Sequence, residues 1–166
     1  QFLSGDNLTF HWINILKPIE KDLTDTREQS TIAYYTGMDG FDELDQRSKD
    51  QETEVFATPL KWVTIKEKFF LSAIIAKNNF SGGEVQTSIN ESDSSVVKRA
   101  SVKLFIPRNS LTNGKADFKF YIGPNDYKQV GKVTEGFSKN VYLGFPPVYW
   151  INKFVIFPVF HFLTQH

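Results

Sequence analysis

The chain has 166 residues, with 19 Lys and Arg against 19 Asp and Glu; its net charge is zero, and the basic footprint of a nucleic-acid binder is missing. That length suits one domain with a sizeable core, and an aromatic share of 15%, mostly Phe, predicts an interior built from large rings. The absence of cysteine excludes disulfides, thiolate catalysis and cysteine metal sites.

The sequence opens at Gln1 with neither an initiator Met nor a signal-peptide pattern, and is expected to be a piece of a longer protein. Residues 8–16 are β-rich and partly alternating and stop at Pro18, which predicts a strand. Residues 19–29 are charged, with Ile19 and Leu23 four apart, and fit a short exposed helix or a loop. A strand over 31–36 closes at Gly37, and the acid- and Gln-rich stretch 38–54, with an Asp39-Gly40 turn, is expected to be a long exposed excursion.

Residues 60–65 open the central part, and the run 68–76, nearly continuous in apolar residues and ending at Asn78-Asn79, predicts a strand covered on both faces; the pair is expected to anchor the core. Gly82-Gly83 is expected to turn the chain into a half-exposed strand over 84–89, followed by a polar loop over 90–95. Residues 100–106 form a strand with Val102, Leu104 and Ile106 on one face, ended by Pro107. After the Asn113-Gly114 turn, 116–122 alternate again until Gly123-Pro124, and 125–130 read as a short helix capped by Asn125 or Asp126. Many short strands with helical material near the end predict a mainly β fold, a β-sandwich.

The last stretch, 144–165, is the most apolar. Pro146 and Pro147 suit a first helical turn, a helix fits from Val148 to Leu163, and Pro158 would kink it. It is close to the lower limit of roughly 17 residues for a spanning helix, and it contains Asn152, Lys153 and His161. Tyr149, Trp150 and Lys153, with Phe154 and Phe157, form the combination of rings and a snorkelling lysine favoured at a membrane–water interface. An interfacial helix, the approach to a transmembrane helix, and a helix packed on its own domain all remain open. The division expected is a β-domain over 1–145 and a helical segment over 146–166.

Signals for chemistry are few. Histidine occurs at 11, 161 and 166 only, without a His-x-x-x-His pair, and neither a phosphate loop nor a Gly-x-Ser-x-Gly elbow is present. The acids Asp39, Asp42, Glu43 and Asp45 lack EF-hand spacing and read as a solvated turn. Trp62, Phe69, Phe70 and Tyr121 offer rings to a sugar or peptide groove, with core packing the default. No catalytic, cofactor-binding or metal-binding residue is expected.

Three stretches together resemble one family. Lys61-Trp62-Val63-Thr64-Ile65 and Phe69-Phe70-Leu71-Ser72-Ala73, within 60–76, resemble the core strands of the large first periplasmic loop of the YidC membrane-protein insertases, of the Oxa/Alb family. Phe120-Tyr121-Ile122-Gly123-Pro124-Asn125-Asp126 is similar to that loop's aromatic-x-Gly-Pro junction between strand and helix. Tyr142-Leu143-Gly144-Phe145, then Trp150-Ile151-Asn152-Lys153-Phe154 up to Pro158, is similar to the segment joining the loop to the second transmembrane helix. The stretch 30–35 and the acidic insertion after it resemble the Bacteroidetes-type loop.

This resemblance implies a twisted β-supersandwich, similar to galactose mutarotase, with short helices towards the C-terminus. Trp62, Phe69, Phe70, Gly123 and Pro124 would be its structural motif residues. It further implies a periplasmic domain of a bacterial inner-membrane protein that assists insertion and folding of inner-membrane proteins, as a non-catalytic scaffold or chaperone without a cofactor. Its partners would be the lipid surface, nascent inner-membrane proteins and the Sec components SecD/SecF and SecYEG, and not nucleic acid. The tail would be an amphipathic helix at the periplasmic membrane surface. The competing expectation is a carbohydrate-binding or aldose-epimerase-like β-sandwich, which as an enzyme needs a histidine acid and a carboxylate base, with His11 the one candidate outside the tail.

Overall fold

The computed structural model describes residues 7–111, 115–141, 154 and 156. Nine strands form two antiparallel sheets: β1 (Asn7–Leu16), β2 (Thr31–Thr36), β3 (Gly40–Glu43), β4 (Glu52–Phe56), β5 (Leu60–Lys66), β6 (Phe70–Phe80), β7 (Gly82–Ser88), β8 (Lys98–Pro107) and β9 (Phe118–Pro124). One sheet has four strands in the order β1-β8-β7-β4, and the other has five in the order β3-β2-β5-β6-β9. Two short helices, α1 (Leu23–Glu28) and α2 (Tyr127–Val130), complete the frame. The β-sandwich expected from the sequence is the fold observed.

The main core lies between the sheets. Ile32, Val63, Ile65 and Ile74 from the five-stranded sheet meet Val85, Val102 and Leu104 from the four-stranded one, all buried. Each such side chain contributes about 1.5–3 kcal/mol. Tyr34 and Phe56 join the sheets edge-to-face, with ring centroids 4.5 Å apart. Alternation along β8 sends Lys98, Ala100, Val102, Leu104 and Ile106 inward, and that row begins with a lysine. Lys98 is only 1% exposed, and its Nζ donates to the carbonyls of Ser30 at 2.7 Å and Gln46 at 3.0 Å.

Both helices begin at an aspartate cap. Asp22 caps α1 by accepting from the Asp25 amide at 3.0 Å, and Asp126 caps α2 by accepting from the Gln129 amide at 2.9 Å. From α1, Arg27 reaches the carbonyls of Asn90, Asp93, Val96 and Val97 at 2.9–3.1 Å and so fixes the polar loop over 90–95.

Three details differ from the sequence expectation. The acidic stretch 38–54 is not all loop: β3 pairs with β2, β4 pairs with β7, and Leu44 is buried. Both strands are sheet edges, where charged side chains prevent further pairing, so their polarity imitated a loop. Gly82 and Gly83 lie inside β7 instead of turning. A Cβ on Gly82 would sit 2.4 Å from the Phe56 carbonyl oxygen, and one on Gly83 2.5 Å from that of Lys103. Close backbone approach is what requires them. Finally, the turn between β5 and β6 takes up Glu67, Lys68 and Phe69, closed by the Glu67 amide donating to Phe70 O at 2.9 Å. Phe69 and Phe70 are 42% and 46% exposed at this tip, which projects past the core they were expected to join.

Gly83→Ala is expected to cost about 1–3 kcal/mol through forced backbone displacement, measured as a lower urea midpoint at unchanged slope. Burial lowers the Lys98 pKa to about 8. The unfolded chain, titrating near 10.5, then binds more protons between pH 8 and 10.5, so stability rises with pH across that window. Above it the trend reverses, because burial raises Tyr34 to about 12 and the Asp25 and Glu20 carboxylates raise Lys68 to about 12. Thermal unfolding of Lys98→Met is expected to lose the rise between pH 8 and 10 and to keep the later fall.

Candidate docking face and adjoining cavity

The five-stranded sheet is covered twice. On its outer face Ala33, Trp62, Leu71, Ala73 and Ile75 form a second apolar cluster, sealed by Val130 of α2 and by Phe137 in the 3-10 turn Phe137–Asn140. Simple alternation would put Leu60 and Trp62 on the same face. A register shift separates them: Leu60 pairs with Phe80 and Trp62 with Ile75, so two steps on β5 answer five on β6. Leu60 thereby faces the core between the sheets, and Trp62 faces the outer cover.

Trp62 is the centre of that cover. Its ring stacks on Tyr35 with centroids 5.7 Å apart and meets Phe137 edge-on at 5.1 Å, while Phe137 meets Tyr121 at 5.5 Å. The indole N–H donates to the Glu135 carbonyl at 3.0 Å, so the buried ring has its polar atom satisfied. Lys61 Nζ lies 2.7 Å from the Glu135 carboxylate and, with a weaker contribution from Tyr35, holds its pKa below the usual carboxylate value. Gly136 follows at φ +71°, and a Cβ there would fall 2.3 Å from the Tyr35 ring. Only glycine allows the turn to press this close.

The remaining motif residues meet beside this cover. Phe70 pairs with Pro124 and Leu71 with Gly123, and the Asn125 amide donates to Phe69 O at 2.8 Å. Tyr121 folds back so that its hydroxyl donates to Pro124 O at 2.9 Å; a Cβ on Gly123 would lie 3.0 Å from that hydroxyl oxygen. Phe69, Phe70, Gly123 and Pro124 therefore join two distant stretches into one corner, while Trp62 sits in the adjoining cover. Ile122, 81% exposed, and Phe120 add an apolar edge on β9, with Phe120 6.5 Å from Phe10 of β1.

Of the expected interface residues, Tyr149, Trp150, Lys153 and Phe157 lie outside the described residues, as do His161, His166 and the Asn113-Gly114 turn. Phe154 is 57% exposed. His11 sits on the exposed face of the four-stranded sheet, its Nε2 3.0 Å from Ser101 Oγ. Among the described residues no group of His, Asp and Glu is placed to hold a metal. Glu43 instead pairs with Lys66 at 2.6 Å, and Asp45 accepts from the Arg47 amide at 2.9 Å.

A polar cavity of about 790 Å³ opens next to the cover, walled by Glu43, Asp45, Lys66, Lys68, Asn125 and Asn140 among others. Lys68 is held by Glu20 and, at 2.6 Å, by Asp25, whose pKa is lowered by hydrogen bonds from Lys68 and then Gln29. Sequence reasoning missed this cavity and the docking role of Glu135 and Gly136, because contacts across more than 70 residues leave no local pattern.

A family profile described as YidC periplasmic domain matches residues 18–158. The chain belongs to the YidC periplasmic domain family. It is similar to proteins named membrane protein insertase YidC: it is 32% identical to that of Amoebophilus asiaticus over 99% of this chain, 35% to that of Cytophaga hutchinsonii over 92%, and 32% to that of Bacteroides fragilis over 97%. It covers 28%, 26% and 27% of those relatives, so the chain spans little more than a quarter of their length. Among the described residues, no helix is long and apolar enough to cross a membrane.

In this YidC periplasmic domain, Trp62→Ala is expected to cost about 3–5 kcal/mol. Because Trp62 serves the outer cover, hydrogen exchange should accelerate first over 127–141, before the strands of the four-stranded sheet.

Proposed function

We propose that the chain serves as a non-catalytic scaffold of a bacterial membrane-protein insertase, on the periplasmic side of the inner membrane, where it assists insertion and folding of inner-membrane proteins. Family membership over residues 18–158 carries this reading. The geometry supports it: the segment 127–141 is held on the outer face by Trp62, Glu135 and Gly136, so the chain reaches Val141 against a fixed wall. A rigid exit suits a domain that must be oriented against a bilayer, whereas a flexible linker would let it tumble.

On this reading residues 1–145 form the platform and 146–166 the element that meets lipid, through Tyr149, Trp150, Lys153, Phe154 and Phe157. Its further partners are nascent membrane proteins and the Sec components SecD/SecF and SecYEG. The non-catalytic assignment draws support from His11, which bonds Ser101 within its own four-stranded sheet and is not among the described residues that wall the cavity.

Co-sedimentation with phosphatidylethanolamine–phosphatidylglycerol vesicles tests the division. Deleting 148–165 should remove most of the lipid affinity while circular dichroism and cooperative unfolding remain. Loss of cooperative unfolding would make the tail part of the core, and lipid binding that survives the deletion would assign it to another surface.

A further inference from the structure

We propose that the free edge of β9 is a docking site for an extended, apolar polypeptide segment, which joins the five-stranded sheet as one more strand. β9 ends its sheet, and among the described residues no strand pairs with its other side. The register with β6 decides which backbone groups remain open. The Asn125 amide donates to Phe69 O at 2.8 Å and the Lys77 amide to Asp117 O at 3.3 Å, both in the register of the strand pair. In an antiparallel ladder such hydrogen-bonded pairs recur at every second residue. Lys119, Tyr121 and Gly123 therefore bond to β6, while Phe118, Phe120 and Ile122 turn their N–H and C=O groups away from it. Pro124 closes this row, because it has no N–H and its carbonyl already accepts from the Tyr121 hydroxyl at 2.9 Å.

The residues with open backbone groups also carry the side chains that would seat the segment. Phe118 packs on the core between the sheets, so Phe120 and Ile122 lie on that face too, yet they are 57% and 81% exposed. Phe10 of β1 approaches Phe120 with ring centroids 6.5 Å apart, and Phe70 stands diagonal to Ile122 across the strand pair. The distribution of charge agrees. At the far ends of the two sheets β3 and β4 carry Asp42, Glu43, Glu52 and Glu54, which discourage an added strand. In β9 and β1 the one acidic or basic side chain is Lys119, and it shares the outer face with Tyr121. This flank fits an uncharged strand with apolar side chains at alternate positions, opposite Phe120 and Ile122. A second copy pairing through β9 would also bring its β1 edge against this one, whereas a single extended segment needs only the space beside β9. That the segment belongs to an unfolded membrane protein rests on the function proposed above; the edge pairing does not.

The test is amide chemical-shift titration of the 166-residue chain with the peptide Ser-Val-Thr-Val-Thr-Val-Lys and with its scrambled form Val-Val-Val-Thr-Thr-Ser-Lys. The alternating peptide should give saturable shifts and slower hydrogen exchange at the Phe118, Phe120 and Ile122 amides, with Lys119 and Tyr121 exchanging as before. Two N-methylated forms separate backbone pairing from apolar contact. Methylating either the Val or the Thr amides should abolish binding in one case and preserve it in the other, since only one edge of the added strand faces β9. Ile122→Lys, at an exposed side chain, should keep the fold and weaken binding about tenfold through the loss of one aliphatic seat. Phe120→Lys takes its place should that variant unfold. The proposal is overturned by the absence of saturable shifts, by shifts confined to other surfaces, by equal binding of the scrambled peptide, by methylated forms that behave alike, or by peptide-free dimerisation through β9 in sedimentation velocity. Peptide binding by a chain that fails to sediment with vesicles would support the edge site and count against the bilayer anchor alone.

Discussion

The five-stranded sheet has to be buried on both faces, and most other features follow from that requirement. Its central strands β5 and β6 carry apolar side chains at successive positions, so whichever face met the other sheet, the opposite one would expose Trp62, Leu71, Ala73 and Ile75. A row of that size in water would forfeit several kcal/mol, at about 1.5–3 kcal/mol for each large side chain. The 127–141 segment removes this cost. The irregularity between Leu60 and Trp62 is what divides one strand between two cores, since a strict alternation would have sent both side chains the same way.

The polar groups inside this frame follow one rule with three degrees of satisfaction. Arg27 spends its guanidinium on four backbone carbonyls and orders a loop that has no apolar anchor of its own. Lys98 hydrogen-bonds only to carbonyls, and burial depresses its pKa by more than the nearby Asp45 and Glu52 carboxylates raise it. Thr64, Asn125 and Asn140 retain buried oxygens with no hydrogen-bond partner in the protein. A fold selected only for stability would replace such atoms by apolar ones of similar shape, since an orphan costs about 1–3 kcal/mol and its isosteric removal costs little.

Much of the architecture was legible because it is written in local patterns. The apolar run of β6 announced burial on both faces, and the alternation in β7, β8 and β9 announced the half-buried strands. Acidic residues hid β3 and β4, because edge strands and loops share the same composition. Gly82-Gly83 looked like a turn since a sequence shows that a side chain is absent and not which carbonyl needs the space. Lys98 gave no warning either: its place in the inward row of β8 follows from parity, but its acceptors come from loops 52 and 68 residues away. The motif corner was recognisable by resemblance, yet the reason for it, a tyrosine folded over a glycine to reach Pro124, required coordinates.

The outer cover also bears on how such a domain is used. Val130 and Phe137 are fully buried, Glu135 is tied to both Lys61 and Trp62, and Gly136 admits no larger residue, so the last described stretch before Tyr142 has little freedom. If orientation were irrelevant, a few Gly and Ser residues would connect the domain at lower cost in ordering. Order is instead imposed throughout 127–141, on the same side of the molecule that carries the cavity and the exposed Phe69-Phe70 tip. On the proposed reading, fixing the exit also fixes which of these surfaces face the bilayer and which face an incoming chain. The stability invested in Trp62 and its neighbours then becomes directional information, which neither the core between the sheets nor the four-stranded sheet could supply.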